Sequence, residues 1–165
     1  VKDSSLAPLD ASWRFVWESP LYEGLVSGAD ALFDRVVAAA IARGKPWSAS
    51  TDKATAVNNA VRAMHGTHPS MWAIVVGGTH MLLFTEAAPW WDTKPWLIEQ
   101  FYARVAPGRS DPLGGIEAYA RDGDLRKIIL GTSLSNDAAM GRLLARRGYQ
   151  QSSTQFTKEL PCASA

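Results

Sequence analysis

Two apolar runs, residues 71–76 and 80–85, stand on either side of Gly77-Gly78, and no other feature of the sequence restricts the fold as tightly. Adjacent glycines supply the positive φ angles that a tight hairpin turn needs, so the segment predicts two antiparallel strands. Residues 96–105, rich in aromatic and branched side chains, predict a third and longer strand. The run 127–132, with Ile128, Ile129 and Leu130, predicts a short buried one. Tyr149 and residues 154–159 close the chain with strand character.

Helical signals fill the intervals. Asp30 is read as a cap for the stripe Leu32, Phe33, Val36, Val37, Ala40 and Ile41, which stops at Gly44. A second helix follows Ser50-Thr51-Asp52, with Val57, Ala60, Val61 and Met64 inward and Gly66 as its stop. Pro112, behind Ser110 and Asp111, opens a third that Gly123 ends. Asn136 or Asp137 caps a fourth, carrying Ala139, Met140, Leu143 and Leu144 and stopping at Gly148. Residues 1–29 are the least legible; within them 13–17 suggest a short first strand broken by Ser19-Pro20. The order predicts an α/β fold, a mixed sheet covered by helices on both faces, in a single domain spanning 1–165.

Composition narrows the function. The 165 residues are 47% apolar and 20% charged, as expected of a globular protein. A net charge of +1 gives no reason to expect a nucleic-acid partner. No run approaches the ~18 apolar residues of a membrane span, and the opening residues lack an apolar leader, so a cytoplasmic protein is expected. One cysteine, Cys162, excludes an intrachain disulfide. His65 and His68 lie three apart without further ligands nearby, so no metal is expected. Trp90, Trp91 and Trp96 are expected to pack beneath the long strand, and Glu86 to be solvated.

The stretch 127–160 reads KIILGTSLSNDAAMGRLLARRGYQQSSTQFTKEL, and it resembles the closing half of GNAT-superfamily acetyltransferases. There a buried strand leads to a capped helix that ends in a Gly-aromatic pair, here Gly148-Tyr149. A final strand ends in Lys and Leu, here Phe156-Thr157-Lys158-Glu159-Leu160. Asn136 sits near the family's helix-start Asn, one residue out of register. Gly131-Thr132-Ser133 is similar to a step in the short acetyltransferase-like proteins of tailed phages, which extends the expected location to host cytoplasm or virion.

The resemblance implies a GNAT-like fold, with residues 96–160 as its acetyl-coenzyme A-binding half. It also implies transfer of an acetyl group from acetyl-coenzyme A to the amine of a small molecule or peptide. On that basis Glu99 is the general base, and the backbone of Phe101, Tyr102 and Ala103 holds the pantetheine. Arg109, Gly114 and Gly115 hold the pyrophosphate, with Asn136 completing the cofactor side. Two departures stand out. The family's first loop glycine is Pro112, which has no N–H to offer, and Asp111 brings negative charge to the anion site. The family's acid, a Tyr of the last helix, falls on Leu143 or Leu144. These departures leave open a second reading, a GNAT-fold structural or interaction protein of phage origin without catalysis. Acceptor and oligomeric state are open as well.

Overall fold

Gly77 and Gly78 turn the chain with φ of 58° and 66°, and the Thr79 N–H closes the turn on the Val76 carbonyl at 3.3 Å. The hairpin is the centre of a computed structural model that describes residues 7–42, 52–131 and 137–151. Five strands follow one another across the sheet in chain order: β1 (Trp13–Phe15), β2 (Met71–Val76), β3 (His80–Ala87), β4 (Trp96–Arg104) and β5 (Lys127–Ile129). The first four pair antiparallel, whereas β4 and β5 are parallel, as expected of two strands joined through a helix. The chain divides into two compact units, residues 1–135 and 136–165.

In the first unit the central strands read as continuous apolar runs because both their faces are covered. Ala73, Val75, Met81, Leu83, Phe101 and Ala103 pack with α1 (Tyr22–Ser27), α2 (Ala29–Ala42) and α3 (Lys53–Met64). The alternate positions Ile74, Val76, Leu82 and Phe84 are also buried, on the face covered by α4 (Pro112–Asp122), where Phe84 meets the Tyr119 ring edge-on at 4.9 Å. Each fully buried side chain of this size contributes about 1.5–3 kcal/mol relative to exposure.

Capping fixes the helix ends. Asp52 accepts the Thr55 N–H at 3.2 Å to start α3, and Gly66, at φ 72°, ends it. A side chain on Gly66 would meet the Trp17 indole within 2.9 Å. Asp30 is not the cap of α2. The Gly28 carbonyl already accepts the Leu32 N–H, so Asp30 lies inside the first turn and shares the Lys53 ammonium with Asp34, at 2.9 and 2.8 Å. The first strand ends at Phe15, and residues 16–18 form a 3-10 turn. The short helix α1 has no clear sequence signal.

The second unit contains α5 (Asp137–Arg146). Gly148, at φ 84°, lets the Tyr149 N–H reach back to the Leu144 carbonyl at 3.0 Å, the helix stop that the Gly-aromatic pair predicts. Asn136 and residues 154–159 lie outside the described residues. Among the described residues, no helix is long and apolar enough to cross a membrane.

Candidate active site at the opening between β4 and β5

The register of β3 against β4 slips once. Leu83 pairs with Phe101, but Phe84 pairs with Glu99, which leaves Gln100 as the extra residue of a β-bulge. The slip exchanges the two faces of β4. Below it, Leu97 and Glu99 share the α4 face; above it, Phe101 and Ala103 point to the α2–α3 face and Tyr102 takes the place beside Leu82.

The parallel pairing ends at the same point. β5 matches Trp96, Leu97 and Ile98 of β4 and goes no further, so from Glu99 to Arg104, among the described residues, β4 is paired with β3 alone. Instead of extending the ladder, the Gly131 N–H donates to the Glu99 carboxylate at 2.7 Å. This bond explains why β5 stops short of the predicted 127–132. Burial raises the Glu99 carboxyl from 4.5 to about 7, and the single Gly131 donor only partly opposes that rise.

Tyr102 continues the same face. Its ring stacks on His80 at 5.2 Å and 12°, and burial, reinforced by the Glu99 charge, pushes its hydroxyl above the ordinary tyrosine value. His80 is drawn down to about 4 by burial and then by the Arg104 charge, so it is neutral at pH 7. Thr79 holds the imidazole Nδ1 at 2.8 Å and reaches the Ser110 hydroxyl at 2.5 Å. The hairpin turn is thereby tied to the loop between β4 and α4. Arg104 braces that loop further through the Ala106 and Gly108 carbonyls.

The loop ends in a closed helix terminus. Asp111 accepts the Gly114 N–H at 3.0 Å, and its own carbonyl accepts the Gly115 N–H at 3.1 Å. Both glycines are buried. A side chain on Gly114 would lie 2.9 Å from the Ala11 methyl, and one on Gly115 would lie 2.7 Å from the Ser12 carbonyl. Arg109 is exposed. The structure therefore gathers Glu99, Phe101, Tyr102 and Ala103 along one strand, with Arg109, Gly114 and Gly115 in the connection that follows it.

Several other expectations resolve differently. Glu86 is not merely solvated, because it accepts the Tyr119 hydroxyl proton at 2.5 Å. Trp90 and Trp91 do not pack beneath the strand; they are 92% and 64% exposed on the loop between β3 and β4. Trp96 is half-buried, its indole donating to Asp92 at 3.0 Å with the Lys127 ammonium above its ring. His65 bonds the Tyr22 hydroxyl, and His68 accepts the Ser70 and Met71 N–H groups. The bulge and the His80–Tyr102 stack are not evident in the sequence. The one available signal is Glu99-Gln100, adjacent polar residues that break the alternation of an otherwise apolar strand.

No protein-family model matches the chain, and no curated protein matches it. A solved structure does: the crystal structure of a "putative acetyltransferase from Arthrobacter sp. FB24" matches with a TM-score of 0.50 at 12% identity, over 100% of this chain and 98% of that one. The fold is GNAT-like. At this identity the likeness carries the architecture alone, and activity has to be argued from the site.

Proposed function

We propose that the chain is an acetyl-coenzyme A-dependent N-acetyltransferase acting on an amine, with Glu99 as its general base. The observation that carries this reading is the position of Glu99. A carboxyl raised to about 7 stands where β4 loses its parallel partner, beside a bulge that re-aims the strand. Such a group is ionised over much of the neutral range, yet it is a far stronger base than an ordinary carboxylate.

When bound, acetyl-coenzyme A supplies the acetyl group as a thioester. The backbone of Phe101, Tyr102 and Ala103, on the stretch of β4 that β5 does not pair, fits the amides of a pantetheine arm and can polarise the thioester carbonyl. Glu99 takes the proton of the acceptor ammonium, directly or through one water. The amine nitrogen then bonds to the acetyl carbon, the carbon–sulfur bond breaks, and the proton that the new amide nitrogen sheds passes through water to the departing thiolate. The pyrophosphate side fits less well. Pro112 has no N–H, Asp111 occupies that of Gly114, and Arg109 supplies the positive charge from the exposed loop. Weak coenzyme binding follows.

The closed terminus of α4 also favours a second reading, a GNAT-fold structural or interaction protein, such as one of phage origin, that has lost catalysis. Calorimetric titration with acetyl-coenzyme A, followed by an acetyl-transfer assay on a panel of amines, separates the two. Weak binding with turnover supports the transferase, and neither binding nor turnover supports the module.

A further inference from the structure

On the face of the sheet opposite Glu99, α2, α3 and the upper part of β3 and β4 enclose an open cavity of about 190 Å³. Its walls include Phe33 of α2, Ala60 and Met64 of α3, Met81 of β3 and Phe101 of β4. Among the described residues, the polar side chains that take part are Asn59 and Gln100, and none is charged. Gln100 is the extra residue of the bulge, next in sequence to Glu99, and is held by the Thr85 hydroxyl at 3.3 Å. The bulge therefore puts the wall of the cavity and the basic carboxylate on neighbouring residues, just beyond the stretch of β4 that β5 pairs.

We infer that this cavity is the subsite for the apolar group of the acceptor amine, a single aromatic ring or a branched alkyl group of similar size. The inference rests on the transfer reading only for what the ring is attached to. An apolar cavity of roughly 150 Å³ already takes a benzene molecule, so a ring with a short alkyl arm fits here. The described lining offers an ammonium no charge to pair with, and an unpaired ion is strongly disfavoured in such surroundings. The ring goes in and the nitrogen stays at the mouth. Methionines suit such a wall, and Met64, Met71 and Met81 all line the space, where their flexible thioethers adjust to a ring.

The probe is 2-phenylethylamine, titrated without acetyl-coenzyme A into protein labelled at the methionine methyls. Three of the four methionines, Met64, Met71 and Met81, line the cavity. Ring-current shifts should appear at those three. Ala60→Leu should fill the cavity, weaken binding by about tenfold or more and leave the melting midpoint equal or higher. Ala56→Leu, on the same wall, serves the same purpose if the first variant does not fold. With acetyl-coenzyme A present, Ala60→Leu should raise KM for this amine and leave kcat nearly unchanged. Methionine shifts without any acetylation would keep the subsite and remove the transfer reading. Turnover of small polar amines with no methionine shift would do the reverse and overturn the subsite. Binding that neither filling variant weakens would overturn it as well.

Discussion

At Glu99 two influences compete, and burial outweighs the one backbone donor, so the carboxyl titrates near 7 and not 4.5. His80, on the neighbouring strand β3, is displaced in the opposite sense, to about 4. Their effects on stability have opposite signs. The folded protein keeps the Glu99 proton up to about 7 while the unfolded chain loses it near 4.5, so stability falls as pH rises through that window. The folded protein lacks the His80 proton down to about 4 while the unfolded chain gains it near 6.5, so stability falls as pH drops through that one. The two nearly cancel between 4.5 and 6.5. Glu99→Gln removes the first, and its melting midpoint should rise with pH across this range. Allowing for partial solvent access, the gain is about 1 kcal/mol, or about 2–4 °C. Thermal melts of both proteins at about pH 4.5, 5.5 and 6.5 check it, and parallel curves would contradict it. Glu99 itself is legible in the sequence, as the one carboxylate in an apolar strand. Its raised basicity is not, because that depends on the bulge and on where β5 stops.

Among the elements, α4 shows how one sequence motif can serve two ends. The pattern Arg109-Ser110-Asp111-Pro112-Leu113-Gly114-Gly115 suggests an anion loop, yet the same glycines let the helix press against its neighbours, Gly114 against Ala11 and Gly115 against Ser12 and Val76. Gly115→Ala should therefore destabilise the protein by about 1–2 kcal/mol, although alanine is intrinsically the better helix former by about 1 kcal/mol. Chemical denaturation checks this, and an unchanged midpoint would show that the contact yields easily. Asp111→Asn keeps a capping side chain but removes the charge facing an incoming pyrophosphate. Acetyl-coenzyme A should bind it more tightly, with the difference greatest at low salt, where the charge is least screened. Titrations at two ionic strengths measure this, and equal affinities would show that the charge is not what weakens binding. Both roles of the glycines are compatible with the sequence. Only the placement of residues 10–12 against the helix reveals the packing role, and no local pattern encodes that long-range contact.

For the molecule as a whole, the long apolar strands, the hairpin and the capped helices α3 and α4 are readable because each carries its signal locally. The glycine turn, the Asp52 cap and the Pro112 start act within a few residues. The helix α1 gives no such signal, and Asp30 looks like a cap without being one, because short helices at the edge of a core are defined by what they pack against. Trp90 and Trp91 mislead for a related reason: a tryptophan's preference for burial says nothing about a loop that projects from the sheet. The fold places a basic carboxylate at the opening of a split sheet, and the central claim is that this carboxylate takes the proton of an acceptor amine. Steady-state acetyl transfer to 2-phenylethylamine and a panel of other amines, measured against pH for the unaltered protein and Glu99→Gln, tests it most directly. Turnover in the unaltered protein should rise with pH through an apparent pKa near 7, as the carboxyl ionises. Glu99→Gln should lower kcat by about 10²–10⁴-fold and abolish that inflection, with acetyl-coenzyme A affinity nearly unchanged. Equal turnover in the two proteins, or the same inflection in both, would contradict the claim.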